Sequence, residues 1–112
     1  MNGRYILVDK KPVPCDDLAK WAKWIQTTDR TVIRTEREGY LISTVFLGLD
    51  NSCSEGAPLL FESMCFPQKN KYKEELDCMT YSTWKEAQDG HVEMCQKFLT
   101  GYTEEDMFLD ML

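Results

Sequence analysis

From Trp84 to Phe98 the apolar residues fall where one face of a helix requires them. Trp84, Ala87, His91, Met94, Cys95 and Phe98 keep helical spacing for four turns. Thr83 with Glu86 has the spacing of a capping box, and Gly101 is a stop signal. A stripe of that length has to lie against another layer, and the segments upstream supply one.

The residues around Ile6 form a short β-rich run, closed by a turn at Asp9, Lys10, Lys11 and Pro12. Asp16 and Asp17 then cap a helix expected over residues 17–26, with Leu18, Trp21, Ala22 and Ile25 on its apolar face. Residues 31–37 and 40–49 are β-rich and separated by Glu38 and Gly39, which predicts a hairpin. Leu41, Val45, Leu47 and Leu49 are expected on one face of its second strand, with Ile42 and Phe46 opposite, so that strand should be central. Residues 59–66 form a third run after a polar loop, and the Lys- and Glu-rich residues 67–80 read as a long surface loop.

The resulting expectation is an α+β domain of residues 1–101, an antiparallel sheet of three to four strands covered by two amphipathic helices. Its order is β-α-β-β-β-α, followed by an acidic amphipathic helical tail over 102–112. With 112 residues, 43% of them hydrophobic and 29% charged, the chain has the composition of a globular protein. No stretch approaches the roughly 20 apolar residues of a membrane span, and the start MNGRYILVDKK reads as neither signal peptide nor anchor. Five widely spaced cysteines, Cys15, Cys53, Cys65, Cys78 and Cys95, never form C-x-x-C, which suits a reducing compartment. Cys53, in a polar loop, is expected to react most readily.

The net charge of −6 argues against a protein that neutralises phosphates. Much of it is local, because Glu104, Glu105, Asp106 and Asp110 leave 15 acidic against 13 basic residues elsewhere. The lone histidine, His91, lies on the apolar stripe and is expected to be structural. The cysteines are too dispersed to imply a metal, and no Gly-rich phosphate loop implies a nucleotide cofactor, so neither is expected. Candidate ligand-binding residues are Trp24, off its helix stripe and so expected to be partly exposed, with Arg34 and Arg37 for an anion. Asp50, Glu55 and Glu62 are the candidate carboxylates. Glu62, in an otherwise apolar strand, calls for an exposed face or a partner such as Arg34 or Arg37. Met107, Phe108, Leu109 and Leu112 in the tail are candidate partner contacts.

Four blocks carry a resemblance: residues 12–18 (PVPCDDL), 43–50 (STVFLGLD), 56–64 (GAPLLFESM) and 81–87 (YSTWKEA) with Gly90 and His91. Together they resemble a group of small proteins of unassigned function from tailed bacteriophages and prophages. The resemblance implies a phage accessory protein in the host cytoplasm, without an activity to transfer. With no catalytic constellation in the sequence, the expectation is a non-enzymatic binder, an inhibitor of a host anti-phage defence component in the manner of an anti-CRISPR. A host protein, such as an immune effector, is then the partner, a homodimer is a further option, and membrane and nucleic acid are not expected partners. A sponge for nucleotide signals is the alternative, and a small hydrolase using Asp50, Glu55, Glu62 and His91 a second.

Overall fold

The computed structural model describes residues 3–52, 56–70 and 74–112. It is an α+β protein, with nine principal elements among the described residues: β1 (Tyr5–Val8), β2 (Lys11–Pro14), α1 (Leu18–Thr27), β3 (Thr31–Arg37), β4 (Tyr40–Phe46), β5 (Phe61–Pro67), β6 (Asp77–Tyr81), α2 (Trp84–Phe98) and α3 (Glu104–Asp110). The strands form a four-stranded antiparallel sheet of order β3-β4-β5-β6 and a separate two-stranded ribbon of β1 and β2. The expected architecture is present, with two strands more than the sequence disclosed.

The first is β2. Asp9 and Lys10 both adopt positive φ, 51° and 67°, which makes a two-residue turn that sends the chain straight back along β1. Residues 11 and 12, read as turn, instead pair with Val8 and Leu7. Pro12 and Pro14 hide the strand because they cannot donate to a ladder, but a strand with a single neighbour tolerates them. The second is β6. Residues 67–80, read as a loop, hold a 3-10 turn at Gln68–Asn70 and then β6, which pairs with β5 from Cys65↔Asp77 to Phe61↔Tyr81. Its sequence, Asp-Cys-Met-Thr-Tyr, lacks alternation because neither face is deeply buried.

The central hairpin forms where expected. Glu38 and Gly39 take φ of 55° and 85°, and Arg37 pairs with Tyr40. The core face of β4 is Ile42, Thr44 and Phe46, and that of β5 is Phe61, Ser63 and Cys65, all fully buried. Val45, assigned to the dominant apolar face of β4, is only half-buried on the outer side. Leu41 and Phe66 are buried on that side, so both faces are indeed partly covered.

Helix α2 lies across the core face and touches all four strands of the sheet. Its capping box is complete, with Thr83 Oγ1 accepting from the Glu86 amide at 3.1 Å and Glu86 Oε1 accepting from the Thr83 amide at 3.1 Å. Asp17 caps α1 by accepting from the Lys20 amide at 3.1 Å. The Trp21 indole ties α1 to the ribbon and to the loop after β4, donating to the carbonyls of Tyr5 at 3.2 Å and Gly48 at 3.1 Å. Gly48 is at φ 77°, and a Cβ there would lie 2.5 Å from Ile25 Cδ1, so this junction requires glycine. No described helix is long and apolar enough to cross a membrane.

Candidate functional site: a buried polar row ending beneath an exposed apolar helix

His91 is fully buried between α2 and the sheet, and both ring nitrogens are engaged. Nε2 lies 2.9 Å from Thr35 Oγ1 and Nδ1 lies 2.7 Å from Thr44 Oγ1. Thr44 continues to Ser63 Oγ at 2.5 Å. At the other end, Thr35 donates to Asp110 Oδ2 at 2.6 Å and Tyr102 donates to the same oxygen at 2.8 Å.

The bond directions follow from counting protons. Thr35 spends its only proton on Asp110, so it accepts from His91, and the imidazole carries its hydrogen on Nε2. Nδ1 then accepts from Thr44, and Thr44 accepts from Ser63. Every donor points toward one carboxylate. Burial holds the His91 pKa down to about 4, against the opposing pull of the Asp110 charge, so the ring is neutral at pH 7. Burial likewise raises the Tyr102 hydroxyl above its usual range, with Asp110 also raising it and Thr35 opposing.

Two sequence details shape the row and its surroundings. A Cβ on Gly90 would sit 2.1 Å from the Tyr81 ring, so glycine lets that ring pass between β6 and α2. Thr35, Thr44 and Ser63 stand at positions where the strand alternation calls for apolar residues. These hydroxyls were not singled out from sequence. The available signal was three small polar residues on core-facing strand positions together with a histidine on the facing helix stripe. Because His91 and Ser63 are both fully buried, the row specifies structure and offers no nucleophile or base to a dissolved substrate.

Asp110 belongs to α3, which packs on α2 and β3. Thr103 caps α3, accepting from the Asp106 amide at 3.3 Å while Asp106 Oδ2 accepts from the Thr103 amide at 2.8 Å. Arg37 lies 3.7 Å from Asp106 and stacks 4.9 Å from the centre of the Tyr102 ring. Met107 is buried in the core cluster, while Phe108, Leu109 and Leu112 are 54%, 61% and 100% exposed. Of the four apolar tail candidates, one is an anchor and three face outward.

The remaining sequence candidates are dispersed. Trp24 is half-buried, as its position off the helix stripe implied, and packs on the core, meeting Phe46 edge-on at 5.7 Å. Arg34 pairs with Glu36 at 2.5 Å. Asp50 organises its own loop, accepting from the amides of Ser52 at 2.8 Å and Leu59 at 3.0 Å, and the Ser52 bonds hold its pKa below the usual carboxylate value. Glu62 is half-buried on the outer face, with Cys78 Sγ at 3.5 Å. The expected pairing of Glu62 with Arg34 or Arg37 does not form, because the register sets Glu62 level with Val45 and Thr31 while Arg34 is level with Ser43 and Met64. Glu55 and Cys53 lie outside the described residues.

A shallow apolar depression of about 190 Å³ on the outer face is lined by Ser43, Val45, Glu62, Met64 and Phe66. Among the described residues no three His, Cys, Asp or Glu side chains are grouped as metal ligands would be. No family model, curated protein or solved structure matches the chain.

Proposed function

We propose that the protein acts by binding another protein, and that α3 is the docking element. The observation that carries this reading is the outward placement of Phe108 and Leu109 on a helix whose other side is fixed to the core by Met107 and Asp110, with Leu112 exposed just past its end. A patch of large apolar residues beside Glu104 and Glu105 suits a partner surface with an apolar pocket and a basic rim. The pre-formed helix lowers the ordering cost of binding. The phage-like blocks support a host protein as partner, specifically a component of an anti-phage defence that the bound protein would inhibit. The nucleotide-sponge and hydrolase readings draw no support from side chains as dispersed as Trp24, Arg34, Asp50 and Glu62.

The experiment is a paired affinity purification from host cells, using the wild type and the Phe108→Asp, Leu109→Asp double variant. We expect one host protein to be retained by the wild type and lost with the variant, and nucleotides to leave the melting temperature unchanged. A nucleotide-induced rise in melting temperature with no retained protein would establish the sponge reading instead.

A further inference from the structure

The described strands leave four margins: β1 is tied to the loop after β4, where the Tyr5 amide donates to the Gly48 carbonyl at 2.9 Å, and two of the other three are guarded. Strand β2 carries Pro12 and Pro14, and β3 carries a register shift between Thr31 and Ile33, the charges of Arg34, Glu36 and Arg37, and α3 alongside. Prolines, bulges, charges and covering elements are the devices that keep a sheet edge from pairing with another chain. Of these devices strand β6 has, among the described residues, only a single acid, Asp77, at its first position. Among the described strands it pairs with β5 alone, its five-residue register is unbroken, it contains no Pro, Lys or Arg, and its one charge is Asp77 at the end. Met79 at its centre is 53% exposed, and Leu76 and Cys78 are also exposed.

We propose that β6 is a self-pairing edge, joining two copies of this chain antiparallel into one continuous eight-stranded sheet. A second copy, in preference to an unrelated extended peptide, follows from the charge pattern. Two-fold antiparallel pairing centred on Met79 sets Met79 against Met79, Cys78 against Thr80 and Asp77 against Tyr81. No like charges are opposed, whereas a direct Asp–Asp pair would be unfavourable. The crevice beside β6 is lined by Asp77, Glu93 and Lys97, and Lys97 is paired with Asp77 at 2.7 Å, so symmetric approach opposes mixed charge and not a run of one sign. An isologous contact of this kind uses one edge from each copy and stops at a dimer. It is independent of the docking role of α3.

The test is the mass in solution of the full chain across a concentration series, for wild type, Met79→Lys and Phe108→Asp with Leu109→Asp. Twice the 13.1 kDa chain mass is expected for the wild type and the α3 variant, and the single-chain mass for Met79→Lys, which sets two ammonium groups face to face. Met79 is exposed enough for the lysine to leave the fold intact, which circular dichroism would verify. As a second measurement, Met79→Cys in a Cys78→Ser background should cross-link to a dimer on mild oxidation, because directly opposed strand residues lie within disulfide reach. A monomeric wild type at every concentration overturns the proposal. So does a dimer that survives Met79→Lys, or one that dissociates only in the α3 variant.

Discussion

His91 shows how a single residue links pH to stability. Its pKa is about 4 in the fold and about 6.5 in an unfolded chain, so the unfolded state binds more protons between those values. Stability therefore falls as pH drops from about 6.5 to 4, by about 3 kcal/mol from this group, and is independent of it above about pH 7. Urea unfolding at pH 7 and pH 4.5 measures the loss, and replacing His91 by Gln should flatten the slope. A residue-scale companion is Gly90→Ala, which places a methyl group in the Tyr81 ring. The expected result is a net loss of about 1–3 kcal/mol, overpacking outweighing the helix propensity gained. An unchanged or raised midpoint would show that Tyr81 can move without cost.

At the scale of elements, α2 was legible from end to end because its cap, stripe and stop are local signals: Thr83, Glu86, the Trp84 to Phe98 period and Gly101. The Thr31 to Phe46 hairpin was legible for the same reason. Strands β2 and β6 were not, since one contains prolines and the other lacks alternation because neither of its faces is deeply buried, and only their partners make them strands. The buried row was half legible. His91 stood out on its stripe, but the register that brings Thr35, Thr44 and Ser63 against it is a property of the assembled sheet.

The tail, set apart by composition, contributes Tyr102 and Met107 to the core cluster. Removing residues 102–112 should thus cost at least about 5 kcal/mol, since a buried aromatic and a buried Met are each worth about 2–5 kcal/mol and Thr35 also loses its carboxylate acceptor. Phe108→Asp with Leu109→Asp should leave the thermal midpoint within a degree or two, since both side chains face solvent. Thermal melts of the two proteins side by side separate the anchoring side of α3 from its outward side.

Across the whole molecule, charge is unevenly distributed. Residues 1–37 hold eight basic and five acidic side chains, while residues 74–112 hold two basic and ten acidic ones. Several of the acids are committed within the fold: Asp77 to Lys97 at 2.7 Å, Asp89 to Lys85 at 2.6 Å, and Asp110 to Thr35 and Tyr102. Glu104 and Glu105 remain exposed beside the apolar patch, so capture of a basic-rimmed partner should weaken as salt is raised from 50 to 500 mM. Of the described cysteines, Cys15, Cys65, Cys78 and Cys95 are free thiols, and only Cys78 is exposed. Burial, reinforced by Glu62, pushes the Cys78 thiol up to about 11. Alkylation of the native protein at pH 7.5 should therefore be slow at Cys78 and slower still at Cys95, whose thiol burial pushes up to about 12.

The docking role proposed for α3 is tested most directly by phage plating on host strains that each carry one defence system. Expression of the wild-type protein is expected to restore plaques on at least one strain, and the equally stable Phe108→Asp, Leu109→Asp variant to leave that strain protected. Plaques restored equally by the variant, or by the wild type on none of the strains, would contradict it.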